Sequence, residues 1–338
     1  MSLAQTASPA LLDTRDSWSL RKALVAPPLR ADGLPADDPG AMSTLRTHLR
    51  WVTFIAALVV GLLVGGTLST LAPEGEARFT VAALGQLAGS IGGYIAMLAV
   101  ERRLARPYEV LPRRSVHGAW VGLAVGALLM LVCTGALTVF GLRVFEGTNP
   151  EVHGLGLQLL QVGLIAGISE EIMFRGFIYR TVERGIGTWW AMAISGVIFG
   201  GAHLANPEAN WWGALAIAIE AGLMFAVLYA ITRNLVLMMG IHAAWNIVQG
   251  PILGSVVSGT ATEGNGLFRS HPAGPELLSG GTFGIEASLI TVVLLSLVTI
   301  VGAVWLHRSG RVVAPAWRRG RPGGAGEPQP MGAQSGPV

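Results

Sequence analysis

The chain of 338 residues contains one cysteine, Cys133, set within an apolar run. A single thiol excludes an intrachain disulfide and any cysteine-built metal cluster. Charge is scarce as well: Asp, Glu, Lys and Arg make up 13% of the residues against 51% hydrophobic ones, and the mean hydropathy is +0.55. A soluble domain carries about 25% charge on its wetted surface, so that class is excluded and an integral membrane protein is left. The net charge of +3 and pI near 9.5 come without aromatic residues interleaved among the basic ones. This excludes nucleic acid as a partner and assigns the basic residues to topology and anionic headgroups. Also missing are an HExxH zinc motif, a pair of intramembrane aspartates, a serine placed as a nucleophile facing a histidine, and the internal repeat of an inverted-repeat transporter. No apolar core of signal-peptide type lies near the start, so residues 1–50 read as a flexible cytoplasmic tail.

What is present is a series of apolar runs near 51–71, 79–100, 116–141, 152–178, 189–204, 211–232, 235–258 and 286–306. Crossing the hydrocarbon takes roughly 20 residues of helix, so the expectation is an all-α, polytopic bundle of about eight spans. The fifth run, of sixteen residues, is short for a plain crossing. With the N-terminus inside, 20 of the 23 basic residues fall on the cytoplasmic side, leaving only Arg78, Arg143 and Arg269 outside. Both termini are therefore expected in the cytoplasm, and Arg180 and Arg184 read as topology determinants. Trp189, Trp190, Trp211 and Trp212 fit interfacial anchors. The chain divides into the tail 1–50, three N-terminal spans (51–150), a core (151–258), an extracytoplasmic loop with the last span (259–306), and a flexible basic tail (307–338) rich in Gly, Pro and Arg.

Ionisable side chains within spanning helices cost several kcal/mol and mark function. Glu170, Glu171 and Arg175 form one cluster in ISEEIMFRGF, Phe199 and His203 a second in VIFGGAHLAN, and His242 and Asn246 a third in MMGIHAAWNIVQG; Glu220 stands apart in AIAIEAGLM. Residues four apart share a helix face, whereas adjacent residues are turned by about 100°. Glu171 and Arg175 are expected to pair, which leaves Glu170 as the unpaired carboxylate. His242 and Asn246 point into one cavity from one helix, and Phe199 and His203 from another. Gly196, Gly200, Gly201 and Gly240 permit close helix approach. Phe199 reads as packing, and Glu220 as either a hydrogen-bonding partner of a neighbouring helix or a cavity residue.

These stretches resemble a known family. EEIMFR is similar to the EExxxR signature, FGGAH to FxxxH and HAAWN to HxxxN of the CPBP family, the CAAX protease and bacteriocin-processing intramembrane proteases also called Abi, and the three occur in the family's order. The resemblance covers roughly residues 152–258; it departs from the pattern at Val236, where a tryptophan is common. It implies an active site among helices 4, 5 and 7. Glu170 would be the general base that activates water with help from His203, His242 and Asn246 would stabilise the oxyanion, and Glu171, Arg175 and Phe199 would support them. It also allows a zinc ion held by Glu170, His203 and His242, since three such ligands leave a fourth position for water; the glutamate mechanism without metal is the preferred expectation.

The expected function is an intramembrane endopeptidase acting on a membrane-associated protein or peptide. Eukaryotic members of the family remove the last three residues of prenylated CAAX proteins, while bacterial ones are linked to peptide maturation and bacteriocin immunity. The Ala-, Gly- and Arg-rich composition points to a bacterial plasma membrane. Two alternatives belong to other classes: a non-proteolytic scaffold or bacteriocin-immunity protein, and a proton-coupled transporter using intramembrane Glu and His.

Overall fold

The computed structural model describes residues 24–260 and 265–319. Its helices follow the apolar runs: α1 Thr44–Ser69, α2 Glu76–Val100, α3 Pro112–Val139, α4 Leu155–Ile186, α5 Thr188–Ala202, α6 Trp211–Thr232, α7 Leu235–Ile252 and α8 Leu289–Arg308. Seven of them are long and apolar enough to cross a membrane. The fifth, α5, has 15 residues, about 22 Å at 1.5 Å per residue, so it falls short of the hydrocarbon thickness by itself. The protein is thus an all-α, multi-pass membrane bundle. Two short strands, β1 Arg143–Thr148 and β2 Phe268–Pro272, pair antiparallel at one end, a feature the turn-rich loop sequence does not announce.

Hydrocarbon offers no hydrophobic drive between helices, so contact is made by small residues that let backbones approach. Gly61 and Gly65 of α1 lie against Gly85 and Gly89 of α2, and Gly122 and Gly126 of α3 lie against Gly240 and Ile241 of α7. Gly196 of α5 meets Gly222 of α6, whereas Gly201, expected in the same role, faces open space. The most buried helix is α7, and it carries His242 and Asn246.

Asn234 caps α7 by accepting from Leu237 N at 3.0 Å, and its amide donates to Arg114 O at 2.9 Å, which fixes the helix start against α3. Four short π-helical segments, Leu159–Ile165, Ile172–Tyr179, Ala218–Met224 and Val248–Ile252, interrupt α4, α6 and α7. Helical spacing in the sequence gives no sign of them.

The basic end of the bundle corrects two expectations. Residues from Ala26 onward are not a free tail: Ala26 N donates to Ile231 O at 3.0 Å, and the Asp37 side chain is 1% exposed. Asp37 lies 3.5 Å from Arg180 and 3.6 Å from Arg233 and accepts from the Tyr229 hydroxyl at 2.9 Å. Val313 of the C-terminal segment likewise exchanges hydrogen bonds with Thr188. The remaining tail residues, 1–23 and 320–338, lie outside the described residues. Arg180 is more than a topology signal, because its guanidinium also meets Glu101 and Glu109, each at 3.1 Å. Cations packed at helix ends and shielded from water need such partners.

Two predictions follow from this packing. A Cβ on Gly126 would overlap the Ile241 carbonyl, while one on Gly135 meets nothing. Gly126→Val should destabilise the detergent-solubilised protein by about 1 to 3 kcal/mol in thermal unfolding, and Gly135→Val should leave the midpoint unchanged. Burial works to raise the carboxyl pKa values of Asp37 and Glu101, but neighbouring arginines, foremost Arg233 and Arg180 for Asp37 and Arg180 and Arg103 for Glu101, outweigh it and hold both below their ordinary range. The stability they contribute is therefore complete above about pH 4 and is lost as the pH falls below it. Asp37→Asn should cost about 3 kcal/mol at neutral pH and should shrink the further loss seen on acidification.

Candidate active site

Glu170 and Glu171 lie on α4 between two π-helical segments, and their adjacency sends the two carboxylates in different directions. Glu171 is fully buried. Its Oε1 accepts from Arg175 Nη1 at 2.9 Å and from His242 Nδ1 at 2.9 Å. The pairing of Glu171 with Arg175 is the one its spacing predicts; the bond from α7 to the same oxygen is not visible in the sequence. Arg175 then reaches α6, where Nη2 donates to the carbonyls of Ala221 and, at 3.2 Å, Gly222. Its guanidinium lies 5.0 Å from the Phe199 ring centroid and 5.2 Å from that of Phe225, within reach of cation–π attraction.

Glu170 turns the other way. Its side chain is 20% exposed, Oε2 stands 3.9 Å from His242 Nε2, and that oxygen has no hydrogen-bond partner among the described residues. It lines a cavity of about 470 Å³ together with His203, Asn206, His242, Asn246 and Ser258. The residues singled out from three separate motifs therefore share one space.

Each of these side chains is oriented from behind. His203, just past the end of α5, holds Nδ1 at 2.8 Å from Phe199 O; a carbonyl only accepts, so Nδ1 carries a hydrogen, and in the neutral tautomer this contact selects, the lone pair is on Nε2. Asn246 donates one amide hydrogen to Val162 O at 2.7 Å, in the first π-helical segment, and retains the other. Phe199 is 1% exposed and packs against Phe174, His203 and His242 with centroid separations of 4.7, 4.8 and 6.1 Å. It forms the floor that fixes both imidazoles. Glu220 is also buried, beside a second and smaller chamber.

Sequence reasoning overlooked Asn206 and Ser258. Asn206 Nδ2 donates to Ser258 O at 2.6 Å, closing the turn that follows α7 over the cavity. Ser258 has φ 48°, a left-handed conformation that costs a non-glycine residue about 1 kcal/mol or more. Loop positions of this kind follow no hydrophobic period, and only the position of Asn206 three residues beyond His203 offered a hint.

As a zinc site the arrangement does not fit. Among the described residues no three His, Cys, Asp or Glu side chains gather around a point where one ion could be held. No step is derived through a metal.

The comparisons with known proteins agree with the motifs. Residues 153–248 match the family described as Rce1-like, type II CAAX prenyl endopeptidase Rce1-like. No curated protein and no solved structure matches the chain. The segment 153–248, which holds all three motifs and much of the cavity wall, is thus similar to the type II CAAX prenyl endopeptidase Rce1-like family.

Proposed function

We propose that the protein is an intramembrane endopeptidase in which Glu170 is the general base. The observation that carries this reading is the unpartnered Glu170 carboxylate facing a large cavity beside two oriented imidazoles. A base needs a free lone pair within reach of the water it activates; Glu170 offers one at the cavity wall, whereas Glu171 does not line the cavity and its Oε1 is taken up by Arg175 and His242. In the proposed reaction a water donates one hydrogen to Glu170 while its oxygen attacks the substrate carbonyl carbon. The lone pair on His203 Nε2 accepts the water's second hydrogen bond and aims it.

The oxyanion accepts a hydrogen bond from the remaining amide N–H of Asn246. When His242 is protonated on both nitrogens, it donates Nδ1–H to Glu171 and Nε2–H into the cavity as a second oxyanion donor. Donors fixed in a low-dielectric site stabilise developing charge without reorganising. Collapse of the tetrahedral species breaks the C–N bond, and the proton held by Glu170 passes to the departing amine. Water and peptide are thereby converted to one carboxylic acid and one amine.

The cavity lining suits a membrane-associated peptide in extended form. Apolar side chains such as Phe79, Met173 and Phe174 alternate with Gln86, Gln161 and Ser169, and the described lining contains no Lys or Arg. Residues 261–264, adjacent to it in sequence, contain none either. Substrate is then held by apolar contact and hydrogen bonds rather than by pairing a terminal carboxylate. The family match supports a protease of the CAAX type and a membrane-associated substrate; the catalytic assignment rests on the site geometry.

The decisive test compares peptide termini by mass spectrometry in cells expressing the wild type, Glu170→Gln or Glu171→Gln. Specific termini should vanish with Glu170→Gln, and kcat on a purified substrate should fall by about 10² to 10⁴ with no loss of thermal stability. Glu171→Gln should lower activity and stability together, because it weakens bonds from two helices. Termini unchanged in Glu170→Gln would overturn the proteolytic reading in favour of a scaffold. A second expectation concerns recognition: matched peptides ending in a free carboxylate or an amide should differ less than about fivefold in kcat/KM, or about 1 kcal/mol.

A further inference from the structure

Behind the catalytic histidines lies a second space of about 20 Å³, enough for one water. His203, His242, Asn246 and Ser258 wall both this chamber and the large cavity, and two further residues, Glu220 and Glu286, close its far side. The carboxyls of these two differ in surroundings. Glu286, in the turn before α8, accepts from Ser258 N at 3.2 Å, from Ser258 Oγ at 3.0 Å and from Gln249 Nε2. Glu220, on α6, is 1% exposed, and neither of its oxygens has a hydrogen-bond partner among the described residues. Arg175, which reaches this turn of α6 from α4, is committed to Glu171 and to the carbonyls of Ala221 and Gly222.

A carboxylate without donors in an apolar interior is strongly disfavoured, and two ionised carboxyls on one enclosed space are disfavoured further. The three donors around Glu286 favour placing the negative charge there. The charged and titratable groups around the chamber are then Glu286, the two histidines, the buried Cys133 thiol of α3 and, beyond them, Arg175 and Glu171. None of them donates a hydrogen bond to Glu220. An acid in that position needs a partner of its own, and the chamber has room for one.

We propose that Glu220 carries a proton and, with it, holds one water in the chamber behind His203 and His242, which makes Glu220 a positioning residue for the catalytic side chains. The water satisfies the buried acid and fills the space against the imidazole rings, so that neither ring is free to turn away from the substrate cavity. This role rests on the proteolytic reading of the large cavity, whereas the proton on Glu220 does not.

Two measurements on the purified full chain in lipid nanodiscs test it. The infrared spectrum of the wild type should contain a carbonyl stretch of a protonated carboxylic acid that shifts in D2O, disappears in Glu220→Gln and persists in Glu286→Gln. On a cleavable peptide, Glu220→Leu should lower kcat about tenfold while KM stays within about twofold, with a melting temperature equal to or above the wild type because an apolar side chain replaces both the buried acid and its water. Glu220→Gln, which keeps a donor for the water, should restore kcat to within about threefold of the wild type. If the leucine variant does not fold, Glu220→Met takes its place. Absence of a band that depends on Glu220, or wild-type kcat in the apolar variant, overturns the proposal. A wild-type chain that cleaves nothing while showing the band would instead overturn the proteolytic reading and leave the protonated acid established.

Discussion

A single oxygen ties three helices of the candidate site together. Glu171 Oε1 receives Arg175 from its own helix and His242 from α7, and Arg175 carries the connection onward to backbone carbonyls of α6. In water such bonds are worth little, because solvent replaces any that break. Inside a bundle there is no replacement, and removing one member strands the others. The rotation of three helices about their axes is thereby fixed. Because Glu170 is the adjacent residue, fixing Glu171 inward turns Glu170 by about 100°, toward the cavity. The structural glutamate and the free one are thus a single decision about helix rotation.

That decision requires two backbone features. Close approach comes from small residues, as where Gly122 of α3 meets Gly240 of α7 two residues before His242. The second feature is the set of widened π turns. Val162, Ala221 and Gly222 all lie in π-helical segments, and all three offer carbonyls to side chains on other helices. A carbonyl has two lone pairs, and a widened turn presents the second one to a neighbour. Such turns occur often at functional sites. Here they accept bonds from Asn246 and Arg175, the two groups that most need an acceptor within the apolar core.

The sequence was most informative where a polar residue conflicts with its surroundings. Glu170, Glu171, Arg175, His203, His242 and Asn246 each interrupt an apolar run, and the four-residue spacing of Glu171 and Arg175 was enough to predict their pairing. It was silent where position depends on contacts between distant segments. The bond from His242 to Glu171 spans 71 residues, and the β1–β2 pairing joins segments more than a hundred residues apart. Asp37 was overlooked for the same reason: it belongs to a Pro- and Asp-rich stretch that resembles linker, and only the cluster of Arg180 and Arg233 at the helix ends gives it a place to be buried. The π turns left no trace because hydrophobic periodicity averages over them.

Partnering separates two kinds of buried acid in this protein. Asp37, Glu101, Glu109, Glu171 and Glu183 all face arginines, and the bundle would be less stable without each of them. No arginine pairs with Glu170 or Glu220 among the described residues: Glu170 has only His242, 3.9 Å from its unbonded Oε2, and neither oxygen of Glu220 has a donor, so the fold gains little from keeping them there. An unpartnered carboxyl destabilises the state that contains it. Both of these residues border a space shared with His203 and His242. Stability therefore accounts for the paired acids, whereas for the other two it is the proposed chemistry at the wall between the two cavities that supplies a reason.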